Sequence, residues 1–224
     1  MDFEEFKHTF EIFTKIDTPE KLAICERQYQ QEILRKEDEK YFEPLTEDAN
    51  ETSFLRYYEN NLRLILGMDQ IKSDEFAFYI RPSFEPEGLL VIKQNISGIK
   101  VVFREVVSSY WEEYYANNYV TRHKTTTVEC DIDNSTSKKL LELLNQTFTN
   151  ARLPKAGMFV LDGTKFTLLR LKNDKIEAVT KHSPDETSKS GKTIQVLLNL
   201  IEYVKIPNQF LLNNIANATS ELLE

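Results

Sequence analysis

The chain has 224 residues, 28 of them basic and 36 acidic, for a net charge of −8, and 41% of its residues are hydrophobic. That balance suits an ordered globular protein with one sizeable core or two small ones, and six glycines and seven prolines argue against extended disorder. The negative charge repels nucleic acid and anionic membrane surfaces and favours basic partners, no apolar run approaches the ~18 residues of a membrane span, and Cys25 and Cys130 make neither a disulfide framework nor a zinc knuckle.

The opening segment is acidic and amphipathic, unlike a secretory signal, so the expectation is a cytoplasmic protein. Phe3, Phe6, Phe10 and Phe13 recur at helical spacing among Glu4, Glu5, Lys7 and Glu11, which predicts a helix with one aromatic stripe. Such a stripe packs on the body of the protein or forms a dimer or partner surface. Thr18-Pro19-Glu20 supplies a hydroxyl cap, a proline at the first helical position and an acid in the first turn. The helix it opens turns Leu22, Cys25, Tyr29 and Ile33 inward, enters the charge run RKEDEK as a solvated last turn or two, and is stopped by Pro44. After a loop, a third helix from Ser53 turns Phe54, Tyr58, Leu62, Ile65 and Leu66 inward and ends at Gly67. Residues 1–70 thus read as an N-terminal helical unit and 71–224 as a sheet region, fused into one domain.

From Glu75 the period changes from 3.6 to 2. EFAFYIRP, GLLVIKQ and IKVVFREV are strands joined by short loops, hence a meander. Four apolar residues in a row in GLLVIK place that strand centrally, covered on both faces. In SYWEEYYANNY, residues 109–119, Tyr110 and Tyr114 are four apart, as are Trp111 and Tyr115. A helical turn there presents two aromatic ridges split by Glu112 and Glu113. The rings either pack half-buried against the sheet or, with the two acids, form a contact surface of the kind rich in binding hot spots.

YVTRHKTTTVECDID reads as a long strand with Glu129, Asp131 and Asp133 on one face and His123 on the same parity. Three carboxylates and an imidazole are a possible metal or acid/base set. The same residues also look like a strand-to-helix turn, with Asp133, Asn134 or Ser135 capping a helix over Ser137–Asn150. In Gly157–Pro184 the turn signals Asp162-Gly163 and Asn173-Asp174 divide an apolar stretch into three antiparallel strands. The SGKT at 190–193 lacks the glycine a phosphate-binding loop needs five residues earlier, where Glu186 stands, and instead marks the start of a helix carrying Ile194, Leu197, Leu198 and Ile201. Ile206-Pro207 breaks the chain before a last helix with Leu211, Ile215, Ala218 and Leu222. The expected fold is α+β: a largely antiparallel sheet of six or seven strands, an N-terminal helical unit and two C-terminal helices.

LDGTKFTLL, a strand ending in HSP, a polar gap and a leucine-rich helix resemble the C-terminal pattern of a loose set of uncharacterised bacterial proteins, often with tyrosine at the position of Phe166. Some of these look like immunity-type or other accessory proteins. The resemblance covers about residues 159–204 and implies a fold more than an activity. With the charge and the aromatic segment, it points to a non-catalytic binding protein of immunity or inhibitor type, needing no cofactor or metal. It would occlude a basic protein partner such as a toxin through Tyr110, Trp111, Glu112, Glu113, Tyr114 and Tyr115. The alternative is a metal-assisted hydrolase using His123, Glu129 and Asp131. The three histidines fall in different elements and no GxSxG motif occurs.

Overall fold

The computed structural model describes residues 2–45, 53–116, 124–155, 163–173 and 175–224. Its elements in chain order are α1 (Phe3–Glu11), α2 (Pro19–Asp38), β1 (Glu43–Pro44), α3 (Ser53–Leu66), β2 (Glu75–Arg81), β3 (Gly88–Asn95), β4 (Gly98–Val106), α4 (Tyr110–Ala116), β5 (Thr125–Asp133), α5 (Asn134–Thr149), β6 (Lys165–Lys172), β7 (Lys175–His182), α6 (Lys189–Lys205) and α7 (Gln209–Leu223). The seven strands form one sheet in the order β1-β7-β6-β2-β3-β4-β5, antiparallel throughout. The α+β class, the meander β2–β4 and the two C-terminal helices are as expected.

β3 shows why the sheet carries two cores. Its alternation sends Leu90 and Ile92 to one face and Leu89 and Val91 to the other, and all four are buried. The first face packs under α5, α6 and α7, where Leu140, Leu144, Leu197 and Ile215 meet Phe78, Val101 and Leu168. The second face packs under α3 and α4, with Tyr58, Leu62 and Leu66 over Ala77, Leu89 and Val102. Gly67 stops α3 with a left-handed φ of 75°, as its position predicts. A Cβ there would strike the Arg104 guanidinium, which donates to the Leu66 carbonyl at 3.0 Å. Phe54 belongs to the side chains outside this description.

α1 lies on α2, with the Phe3 and Phe6 rings 5.2 and 5.5 Å from Tyr29. No residue of α1 is buried, and Phe13 is 85% exposed beyond its end. The helix α5 starts at Asn134, three residues before the expected point, because Asp133 is its cap: Oδ1 accepts from the Ser135 and Thr136 amides at 2.8 and 3.0 Å. Ser188 caps α6 by accepting from the Gly191 amide at 3.0 Å. Of the three strands expected in 157–184, the first lies outside the described residues, as do Asp162 and Asp174. Gly163 and Asn173 keep the positive φ of turn residues, 128° and 52°. Among the described residues no helix is long and apolar enough to cross a membrane.

The charge run RKEDEK departs from the solvated turn its composition predicts. α2 ends at Asp38 well before Pro44, which pairs with Val179 in β1, and Asp38 and Glu39 are each only 4% exposed. The reason is Lys181 of β7, itself 1% exposed: its ammonium donates to the Asp38 carbonyl at 3.0 Å and to Glu43 Oε1 at 3.4 Å, with Glu39 Oε2 at 4.0 Å. The Asp185 amide donates to Glu39 Oε2 at 3.3 Å and the Lys155 amide to Asp38 Oδ2 at 2.7 Å. These hydrogen bonds offset the desolvation of the charges, and the cluster fastens the end of α2 to the sheet edge.

Candidate functional site

The aromatic segment begins where β4 ends, and the residue that fixes it is Glu87, completely buried just before β3. The first turn of α4 needs acceptors for its amides. Glu87 Oε2 accepts from the Tyr110 amide at 2.8 Å, and Oε1 accepts from the Trp111 amide at 3.1 Å and from the Tyr58 hydroxyl at 2.7 Å. A carboxylate at a helix N-terminus is favoured by the partial positive charge there. Tyr58 stacks on Tyr110 at 5.1 Å, takes Trp111 edge-on at 5.1 Å and meets Tyr114 at 5.7 Å. Burial first, and the Glu87 charge next, push the Tyr58 hydroxyl far above the ordinary tyrosine range. It is therefore a hydrogen-bond donor and not a base. Nothing in the local sequence marked Glu87, a loop acid between Pro86 and Gly88; only the register of β3 brings it under α4.

This geometry sorts the six residues expected at a contact surface. Tyr110 and Tyr114 are each 2% exposed, so their rings are taken up by α3 and cannot reach a partner. Glu112 is exposed, Trp111 and Glu113 are half-buried, and Ser108 donates to Glu113. The Tyr115 side chain lies outside the described ones. Behind α4, Glu59 is buried and paired with Arg81 and Arg63. The Tyr79 hydroxyl is wholly enclosed, and burial raises it well above its ordinary range.

The carboxylates of β5 do share a face, and each has its own partner. Glu129 pairs with Lys100 at 2.9 Å, which holds its carboxyl below the usual range through that hydrogen bond first and its charge second. Asp131 Oδ1 accepts from the Asn95 side-chain amide at 3.1 Å. Asp133 caps α5, and the Thr136 amide is the main cause of its lowered pKa. His123 lies outside the described residues. Among those described, no three His, Cys, Asp or Glu side chains come together as a metal site. Cys25 is buried, and burial pushes the half-buried Cys130 thiol up to about 11, which removes it as a nucleophile at neutral pH. Compared with known proteins, the chain matches no family model, no curated protein and no solved structure.

Proposed function

We propose that the protein acts by binding, as an immunity- or inhibitor-type protein that occludes a basic protein partner such as a toxin. The observation that carries this reading is the solvent side of α4: Glu112 and Glu113 stand on a helix whose first amides are clamped by a buried carboxylate. Side chains held on a rigid support lose little freedom on association, so more of their contact energy appears as affinity. The net charge of −8 steers a cationic partner toward the molecule. Trp111, edge-on to Tyr58 and half-buried, is the aromatic edge beside the two acids. The resemblance of residues 159–204 to a loose set of uncharacterised bacterial proteins, some of them of immunity-type appearance, tilts toward the same reading. In the metal-assisted alternative, the two described members, Glu129 and Asp131, are already engaged by Lys100 and Asn95.

The test is capture from native cells with the tagged chain and with Glu112→Lys/Glu113→Lys, eluting through a salt gradient with mass spectrometry of what is released. The expected result is one stoichiometric basic polypeptide on the native chain, released by salt and held at least about tenfold more weakly by the variant. Equal retention by both removes α4 from the account, and no stoichiometric polypeptide on either removes the inhibitor reading.

A further inference from the structure

We infer that a cleft between the β2–β3 loop and α6 is a socket for one arginine or lysine side chain of a basic polypeptide; this deepens the binding reading above and rests on it for the partner's class. The cleft has a volume of about 370 Å³. Its floor is apolar, made by Ile80, Phe103, Phe166, Leu198 and Ile201, while Glu85, Glu105, Glu202 and Lys205 stand around it. An apolar floor suits the methylene stem of a long cationic side chain, and a carboxylate rim suits its head.

The charge count favours a cation. Three carboxylates face one ammonium, and that ammonium is already assigned: Lys205 Nζ lies 3.4 Å from Glu105 and 5.0 Å from the centre of the Phe103 ring. Lys205 thus shows within the molecule how this wall receives a cation, by a carboxylate and an aromatic face together. Glu85 and Glu202 are both exposed, and among the described residues neither side chain has a hydrogen-bond or ion-pair partner. An apolar occupant would desolvate these two acids with nothing in exchange, and an anion would be repelled. The surroundings fit a protein contact: Phe84, next to Glu85 in the chain, and Ile206, next to Lys205, are each 70% exposed. Exposed apolar side chains around an acid-rimmed hollow have the composition of an interface, with anchor pocket and rim.

The socket and α4 lie on opposite faces of the sheet and are linked through the backbone at Glu87. Glu105, one residue before the end of β4, pairs with Gly88, next to Glu87, and the Val106 amide donates to the Glu87 carbonyl at 3.1 Å. The loop that presents Glu85 is therefore anchored by the residue that clamps α4.

The experiment is titration of the ¹⁵N-labelled full chain with N-acetylarginine amide at low salt, with the neutral N-acetylcitrulline amide as the control. The expected result is saturable shifts confined to Gly88, Gln195, Asn199 and Lys205. They should be absent with citrulline, about tenfold weaker in Glu85→Gln/Glu202→Gln and unchanged in Glu112→Gln/Glu113→Gln. Shifts spread over the acidic surface, centred on α4, or untouched by Glu85→Gln/Glu202→Gln overturn the socket. The readout uses no partner protein. A filled socket with nothing captured from cells therefore upholds the socket and overturns the inhibitor reading, while an empty socket with capture intact overturns the socket alone.

Discussion

On the face covered by α5, α6 and α7, the interior away from the Lys181 cluster at the β7 edge is hydrocarbon: Phe78 stacks on Phe166 at 5.7 Å with the rings 3° from parallel, and Leu90, Leu144, Leu197 and Ile215 close around them. Under α3 and α4 the same sheet buries four tyrosines, Tyr58, Tyr79, Tyr110 and Tyr114, together with the carboxylates of Glu59 and Glu87. Dispersion and burial are forgiving of small shifts, whereas a buried hydroxyl or carboxylate is tolerable only with its partners in place. The dry face holds the fold together; the polar face fixes where α4 points.

Three substitutions test that division. Phe78→Ala, on the dry face, should cost about 4 kcal/mol in urea denaturation, and a loss under about 2 kcal/mol would mean that this core collapses around the gap. Glu87→Ala leaves the Tyr58 hydroxyl and the Tyr110 and Trp111 amides without their acceptor, which should cost about 3 kcal/mol and flatten the near-ultraviolet circular dichroism of the aromatic cluster. An unchanged aromatic signal would separate Glu87 from the pose of α4. Tyr79→Phe removes an enclosed hydroxyl that has no hydrogen-bond partner among the described residues and should raise stability by about 1 kcal/mol. A loss would show that the hydroxyl is satisfied.

The smallest effect is a pH dependence. Burial first, then the charges of Arg81 and Lys165, hold the His182 pKa below 6.5 in the folded chain. The unfolded chain therefore binds the proton more readily, so this contribution to stability is complete above about pH 6.5 and is lost as the pH falls through the folded value. Stability should decline as the pH falls below about 6.5, and His182→Gln should flatten that slope. An identical slope would assign the acid sensitivity to other groups.

What the sequence made legible was local. The change of period at Glu75, the double-sided GLLVIK strand and the stop at Gly67 each depend on neighbouring residues, and each appears as expected. The burial of Asp38 and Glu39 depends on Lys181, more than 140 residues further along, so no window of the sequence shows it. One cue was available: Lys181 shares the parity of the buried Val179 on β7, which turns it inward. For the site, helical spacing located the aromatic segment and both of its ridges. Which rings face in was decided by Tyr58 and Glu87, supplied from elements 52 and 23 residues away from Tyr110. The cleft was invisible for the same reason, since its floor comes from three strands and a helix that meet only in the folded chain.

The two ends of the sheet differ in another respect. One edge strand, β1, has only two residues, while β5 at the other has nine and begins with Thr125-Thr126-Thr127-Val128. A long β-branched border is a template on which a second copy could extend the sheet, the first step of ordered aggregation. In an antiparallel pairing centred on Glu129, that carboxylate would face its own copy, with Asp131 of each chain close by on the same surface. Like charges opposed across strands disfavour such growth, and salt screens the repulsion. The acids that first suggested metal ligands thus give the exposed border a colloidal defence, one that weakens as ionic strength rises.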